Sequence, residues 1–247
     1  MAQEKKLLSG RVVLVTGAAK RLGRAIALAA ADHGANVAIT YHASERDARK
    51  VIGELGSRGA DALAVRCDIT DELSVREMIR EVVRSLGGID VLINNAANYE
   101  TAEFSKLTLK QWDAIFASNT RGPFLVSREA LLHLKKRYGR IINMGSLGGL
   151  LPWATHAHYC SSKAAVHMLT RVMAKALAPE IAVNAVAPGM IDLGEKAAAA
   201  FMKRMAKQTP MRRNGSAVDI AAAVMFFATA PSFITGQVLA VDGGLGL

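Results

Sequence analysis

Short apolar runs alternate with longer mixed stretches along the whole chain. The runs at 12–15, 37–41, 62–66, 91–93, 140–144, 182–187 and 238–241 are rich in Val, Ile, Leu and Ala. Strands of a parallel sheet read this way because helices cover both faces. Between them, 23–33, 44–55, 70–86, 123–137, 159–177 and 218–228 read as helices. Gly34 and Gly87-Gly88 supply stops, and Thr108 caps a further helix carrying Trp112 and Phe116. Seven strands alternating with helices predict an α/β fold, a doubly wound parallel sheet with helices on both faces. Right-handed crossovers then place the ligand crevice at the carboxyl ends of the strands. No repeat or linker interrupts the pattern, so 1–247 reads as a single domain. The stretch 189–214 departs from it, with a short helix expected over 195–207, and reads as a lid over that crevice.

The chain has 247 residues, enough for one α/β domain with a sizeable core. No apolar run approaches the ~20 residues that span a bilayer, and 220–230 reads as a core helix. No apolar segment follows the Met-Ala-Gln-Glu-Lys-Lys start, so no leader is expected, and the expected location is cytoplasmic. Two cysteines make no disulfide framework; Cys67 reads as a core residue and Cys160 as an inert small side chain. The net charge of +10 favours anionic partners. Aromatics are only 5% and no basic run interleaves with them, which argues against nucleic acid and leaves a phosphorylated cofactor or an acidic carrier protein. His156-x-His158 has no carboxylate or thiol at metal-ligand spacing, so no metal is expected and the histidines read as loop residues beside the substrate pocket.

Two stretches carry chemistry. Tyr159 and Lys163 stand at i, i+4, which places them on one face of a helix. A neighbouring ammonium favours the phenolate and moves the Tyr pKa toward neutrality, a way to build a general acid/base. Near the start, the strand at 12–15 runs into Thr16-Gly17-x-x-x-Arg21-x-Gly23 and then a helix. Gly17 permits the tight turn, Gly23 allows close packing, and the helix N-terminus faces an anion.

Taken with these, several strings resemble the short-chain dehydrogenase/reductase family over nearly the whole chain. The cofactor loop matches, with Arg21 for the usual middle glycine. Cys67-Asp68-Ile69 resembles the strand end whose Asp meets the adenine. Asn94-Asn95-Ala96-Ala97 resembles N-N-A-G, and Asn184-Ala-Val-Ala-Pro188-Gly189 and Val241-Asp242-Gly243-Gly244 resemble the late signatures. Asn119, Ser146, Tyr159 and Lys163 match the catalytic set in order and spacing.

The resemblance implies hydride transfer between a nicotinamide cofactor and a carbonyl or alcohol carbon. Tyr159 would give the proton, Lys163 would lower its pKa and hold the ribose, Ser146 would bind the substrate oxygen, and Asn119 would hold a relay water. The implied cofactor contacts are Gly17, Lys20, Arg21, Leu22, Gly23, Tyr41, His42, Ala43, Ser44, Asp68, Ile69, Asn95, Ala96, Ala97, Tyr159, Lys163, Pro188, Gly189 and Ile191. Leu193 replaces a common Thr, so the carboxamide contact would rest on the Ile191 backbone. No acid ends the second strand where an NAD site needs one, while Arg21, Lys20, His42 and Ser44 suit a 2′-phosphate. NADP(H) is therefore the expected cofactor.

Among family members the chain is most like 3-oxoacyl-carrier-protein reductases, and Lys135-Lys136-Arg137 with Arg140 resembles a stretch that docks the acidic carrier. The string Thr-Gly-Ala-Ala-Lys-Arg-Leu-Gly also resembles pteridine reductases, the alternative reading, although those carry Asp at the Ser146 position. A non-catalytic NADP sensor is a third reading, disfavoured by the intact catalytic set. Leu147, Leu150, Leu151, Trp153 and Met190 are expected to make the pocket apolar. The family resemblance also implies a homotetramer pairing through 123–137 and 159–177, where Ala164, Ala165, Met168 and Leu169 permit close approach.

Overall fold

The computed structural model describes residues 6–247; the Met-Ala-Gln-Glu-Lys start, read above for a leader, lies outside them. Seven strands are formed: β1 (Val12–Val15), β2 (Asn36–Tyr41), β3 (Ala62–Arg66), β4 (Val91–Asn94), β5 (Arg140–Met144), β6 (Ala182–Pro188) and β7 (Val238–Val241). The helices are α1 (Arg21–Asp32), α2 (Glu45–Gly56), α3 (Glu72–Leu86), α4 (Leu109–Phe116), α5 (Gly122–Lys136), α6 (Ala157–Leu177), α7 (Ala199–Gln208) and α8 (Ala217–Thr229). All strand pairs are parallel, in the order β3-β2-β1-β4-β5-β6-β7. The order reverses between β1 and β4, and the crevice beyond the strand ends opens there.

β1 shows why the pattern works. Val13 and Val15 pack with Ile26 of α1, Leu55 of α2 and Val224 of α8. Val12 and Leu14 pack on the other face with Ile79 of α3, Leu134 of α5 and Met173 of α6. Each fully buried Leu or Ile contributes on the order of 1.5–3 kcal/mol, so a strand apolar on both faces is held firmly. The helix starts follow side-chain caps. Asp71 accepts the Leu73 N–H at 3.1 Å, Thr108 forms a capping box with Gln111, and Ser216 forms one with Asp219.

Two segments differ from the sequence pattern. A π turn at Ala117–Arg121 joins α4 to α5, so no break precedes Pro123. The lid helix starts later than expected: a 3-10 turn at Lys196–Ala198 leads into α7, after Gly194 in the left-handed region at φ +74°.

Candidate active site

The loop after β1 is built around backbone constraints. Gly17 lies at φ +63°, and a Cβ there would sit 2.9 Å from Ala96. Its N–H donates to Thr40 Oγ1 at 3.0 Å. Gly23 is also required, since a Cβ would meet Asn95 Nδ2 and Gly17 O at 2.6 Å. Arg21 stands at φ +53°, where the family's glycine is at ease and an L-residue costs about 1–2 kcal/mol. Its guanidinium forms an ion pair with Glu195, and Lys20 pairs with Asp47 at 3.0 Å. No acid lies in the first turn of α1, so the helix N-terminus keeps its preference for an anion.

The end of β4 is stapled to this loop. Thr16 Oγ1 accepts the N–H groups of Asn95 and Ala96 at 3.0 Å, and Asn95 Nδ2 donates to the carbonyls of Thr16 and Gly17. Asn94 donates to Ser127 and Asn143, and Asn143 donates to Thr170 of α6. These buried bonds fix β4, β5 and α6 relative to one another. At the end of β3, Asp68 accepts the backbone N–H and the hydroxyl of Thr70, which hold its pKa below the usual carboxylate value. His42 Nε2 lies 3.9 Å from it.

Asn119 sits inside the π turn and is 1% exposed. Its Oδ1 accepts the Asn98 N–H at 2.8 Å, while its Nδ2 donates to Asn98 O at 2.9 Å and Ser162 Oγ at 3.1 Å. The amide therefore ties the 95–98 loop to α6 and has no spare N–H for the expected relay water. Ser146 follows β5 and accepts the Gly148 N–H at 3.1 Å. Behind it, His167 Nε2 accepts the Ser146 N–H at 3.4 Å. Gly145 and Gly149 make room for that imidazole, since a Cβ would lie 2.2 Å and 2.7 Å from it.

Tyr159 and Lys163 lie in the first two turns of α6, as their spacing predicts. Lys163 Nζ donates to Met144 O at 2.8 Å and lies 5.9 Å from the Tyr159 ring centre. The expected lowering of the Tyr159 pKa by Lys163 is not what this geometry gives. Burial is the largest influence and pushes the phenol up, with the Ser146 hydroxyl pulling the other way. Burial lowers the Lys163 ammonium to about 8.

A cleft of about 710 Å³ is lined by Gly17, Lys20, Arg21, Leu22, Gly23, Tyr41, His42, Asp68, Ile69, Asn95, Ala96, Ala97 and Tyr159. A cleft of about 940 Å³ shares Arg21, Leu22, Asn95, Ala97 and Tyr159 with it, and adds Ser146, Lys163, Pro188, Gly189 and Ile191. Most of the residues singled out in the sequence thus border one continuous crevice. Ala43 and Ser44 do not line it; Ser44 precedes α2 beside it, and Asn119 lies behind it.

The cleft is walled by Trp153, Met190 and the lid, as expected, but not by the three leucines. Leu147, Leu150 and Leu151 do not line the cleft, and Leu147 is turned into the interior at 2% exposure. The apolar wall is made by Trp153 and Met190 together with Phe201, Met202 and Met205 of the lid helix α7. Aromatic groups surround Tyr159. Tyr99 meets it edge-on at 5.0 Å, and Trp153 lies nearly parallel at 6.3 Å. The Tyr99 hydroxyl and His156 Nε2 share a 2.7 Å hydrogen bond. His158 is not beside the pocket: it is fully buried on α6.

Thr40, Asn98, Ser162 and His167 were not singled out from the sequence, and Thr16 only as part of the loop string. Gly145, Gly148 and Gly149 around Ser146 were the available signal for a closely approaching side chain. The basic stretch read as a carrier dock also lies elsewhere. It joins α5 to the amino end of β5, opposite the crevice. Arg137 is engaged with Asp90 and the Gly87 carbonyl, and Arg140 with the Ala230 carbonyl.

This crevice, set at the strand ends of a seven-stranded parallel sheet, defines a dinucleotide-binding oxidoreductase. Residues 17–246 match the family described as enoyl-(acyl carrier protein) reductase. The 3-oxoacyl-[acyl-carrier-protein] reductase FabG of Staphylococcus aureus is 38% identical over 237 residues, covering 94% of this chain and 96% of its own. A short-chain type dehydrogenase/reductase from Mycobacterium marinum superposes with a TM-score of 0.91 at 33% identity, covering 98% of this chain and 97% of its own. A blue fluorescent protein from a metagenomic library, in complex with NADPH, gives a TM-score of 0.89 at 33% identity, covering 97% of this chain and 99% of its own. The chain belongs to the short-chain dehydrogenase/reductase family. It is an oxidoreductase acting on CH–OH/C=O groups with a nicotinamide cofactor.

Proposed function

We propose that the protein is an NADPH-dependent ketone reductase whose substrates are 3-oxoacyl thioesters. The observation that carries this reading is that Ser146, Tyr159 and Lys163 border a cleft continuous with the glycine loop and walled by apolar side chains of α7. The carrier-protein reductase relative supports the substrate class. An acyl chain suits the Met190, Phe201, Met202 and Met205 wall.

The site fits the cofactor. The backbone at Gly17 and Gly23 leaves no room for side chains, and the N-terminus of α1 favours a pyrophosphate. Arg21, Lys20, His42 and Ser44 would hold a 2′-phosphate, and Asp68 and Ile69 would hold the adenine. Pro188, Gly189 and Ile191 would flank the nicotinamide. When bound, the cofactor supplies the hydride.

The chain's own groups do the rest. Tyr159 keeps its proton at neutral pH, because burial raises its pKa, and gives it to the carbonyl oxygen. The Ser146 hydroxyl donates to the same oxygen as negative charge develops there. Lys163, charged at neutral pH, offers its remaining N–H groups to the cofactor ribose. Asn119 positions α6 and the 95–98 loop against each other. His167 and the glycines beside Ser146 set the orientation of that serine.

One observation favours a second reading. Tyr99 and Trp153 flank Tyr159 with their rings, which suits a flat substrate such as a dihydropterin. NADPH consumption with acetoacetyl thioesters, dihydropterins, quinones and sugar ketones separates the two. The highest kcat/KM is expected for the thioester; a higher one for dihydropterin would reverse the ranking.

A further inference from the structure

We infer that Tyr99 and His156 form a second substrate anchor, a hydrogen-bond donor for the carbonyl two carbons from the one that is reduced. The inference rests on the thioester reading and deepens it: the site selects 1,3-dicarbonyl substrates over simple ketones. The Tyr99 hydroxyl and His156 Nε2 lie 2.7 Å apart, and His156 Nδ1 lies 3.0 Å from Thr155 Oγ1. The rings of Tyr99, His156 and Tyr159 form a triangle, with centres 5.0, 5.3 and 6.4 Å apart. His156 caps α6 and stands three residues before Tyr159, on the same side of the helix start. Tyr99 follows Asn98, whose N–H and carbonyl are both held by Asn119. The pair is therefore fixed beside the proposed proton donor.

The pair is not needed to join its two loops, because the Ala102 N–H already donates to Thr155 O at 2.9 Å. Its chemistry faces the substrate instead. His156 and Trp153 line the cleft that holds Ser146 and Lys163, but not the cleft of the glycine loop. Among the described residues, the hydroxyls lining the former are those of Ser146, Tyr159 and Tyr99. The first two serve the reacting oxygen. A second carbonyl brought from water against Trp153, Met190 and α7 loses its hydration and needs a donor. Burial, then His158, lower the His156 pKa below its ordinary 6.5, so near neutral pH the ring is uncharged and has one N–H. With the Thr155 hydroxyl donating to Nδ1, that N–H stands on Nε2 and donates to the Tyr99 oxygen. The Tyr99 O–H is then left for the substrate carbonyl. In the opposite tautomer Tyr99 donates to His156 and offers only lone pairs, which a carbonyl cannot use. A bound carbonyl therefore selects the first tautomer.

The test compares the acetoacetyl thioester of N-acetylcysteamine with its thioether analogue, in which a methylene group replaces the thioester carbonyl and the ketone is kept. Tyr99→Phe should lower kcat/KM for the thioester about three- to tenfold, chiefly through KM, and leave the thioether within about twofold of wild type. His156→Phe should show the same selective loss. His156→Gln, whose amide N–H can stand in for the Nε2–H, should keep most of the wild-type preference for the thioester. Unchanged thioether turnover shows that the rest of the site is intact in each variant. No loss with the thioester, an equal loss on both substrates, or a His156→Phe variant that behaves as wild type would each overturn the inference while the thioester reading stands. If the wild type prefers the thioether, the thioester reading fails and the inference falls with it.

Discussion

Arg21 of the glycine loop and Glu195 of the lid form an ion pair across the mouth of the crevice. The cation expected to meet the 2′-phosphate is thus held by a carboxylate of the lid, and the phosphate must compete with it. Both side chains are substantially exposed, so the pair is weak. Glu195→Gln should tighten NADPH binding about two- to fivefold and leave NADH unchanged. Titration of both cofactors checks this, and equal effects on the two would place the 2′-phosphate elsewhere.

The same arginine carries a conformational cost. Arg21→Gly should hold or raise the melting temperature, because glycine is at ease at φ +53°, while weakening NADPH relative to NADH. Adding Ala43→Asp should move the preference further toward NADH by placing a carboxylate near the phosphate. A preference ratio that does not move in the double variant would contradict the assignment.

How far the sequence spoke depends on which force decided each feature. The strands at 12–15, 62–66, 140–144 and 238–241 are observed at the boundaries predicted. Burial on both faces explains this for β1 and β5, while the edge strands β3 and β7 are only partly buried and were marked by their short apolar runs. Tyr159 and Lys163 were legible because helical spacing alone brings them together. Asn119's role was not legible, since it depends on a π turn and on Asn98, 21 residues away. The Leu147–Leu151 wall failed for a similar reason. A short 3-10 turn after Ser146 turns Leu147 inward, and the wall is left to Trp153, Met190 and α7. The effect of Lys163 on Tyr159 depended on burial, which sequence spacing does not carry.

Lys163 gives a pH dependence. Its ammonium is lowered to about 8, so it is charged below that pH and neutral above it. Tyr159 is raised and keeps its proton through the same range. Reductive kcat/KM should be level near neutrality and fall as pH rises through about 8, with a parallel loss of NADPH affinity. A profile level well beyond pH 8, or a fall without loss of cofactor affinity, would contradict this role for Lys163.

His167 should shape stability on the acid side. Burial, then Lys163, hold its pKa at about 4, below the ordinary 6.5. The unfolded chain therefore binds a proton that the folded chain refuses between these values. This stability contribution is complete above pH 6.5 and is lost as pH falls toward 4. The melting temperature of His167→Gln should fall less steeply over that window. A slope equal to wild type would show that His167 titrates normally.

Phe124 and Leu132 on α5, with Met168 and Val172 on α6, are exposed at 43%, 72%, 56% and 54%. These apolar faces fit the expected pairing of the two helices across a two-fold axis. Light scattering should give a tetramer, and Met168→Glu/Val172→Glu should reduce it to smaller species. A monomeric mass of 26.3 kDa for wild type would contradict the expectation.

The central claim is that the Tyr159 hydroxyl supplies the proton for reduction of a ketone. The direct measurement is NADPH-dependent turnover of an acetoacetyl thioester by Tyr159→Phe, with NADPH affinity measured on the same sample. The ring and its packing against Tyr99 are kept, and only the hydroxyl is lost. Turnover should fall by ~10²–10⁴-fold or more while the NADPH dissociation constant stays within a few-fold of wild type. Turnover within a few-fold of wild type would contradict the account.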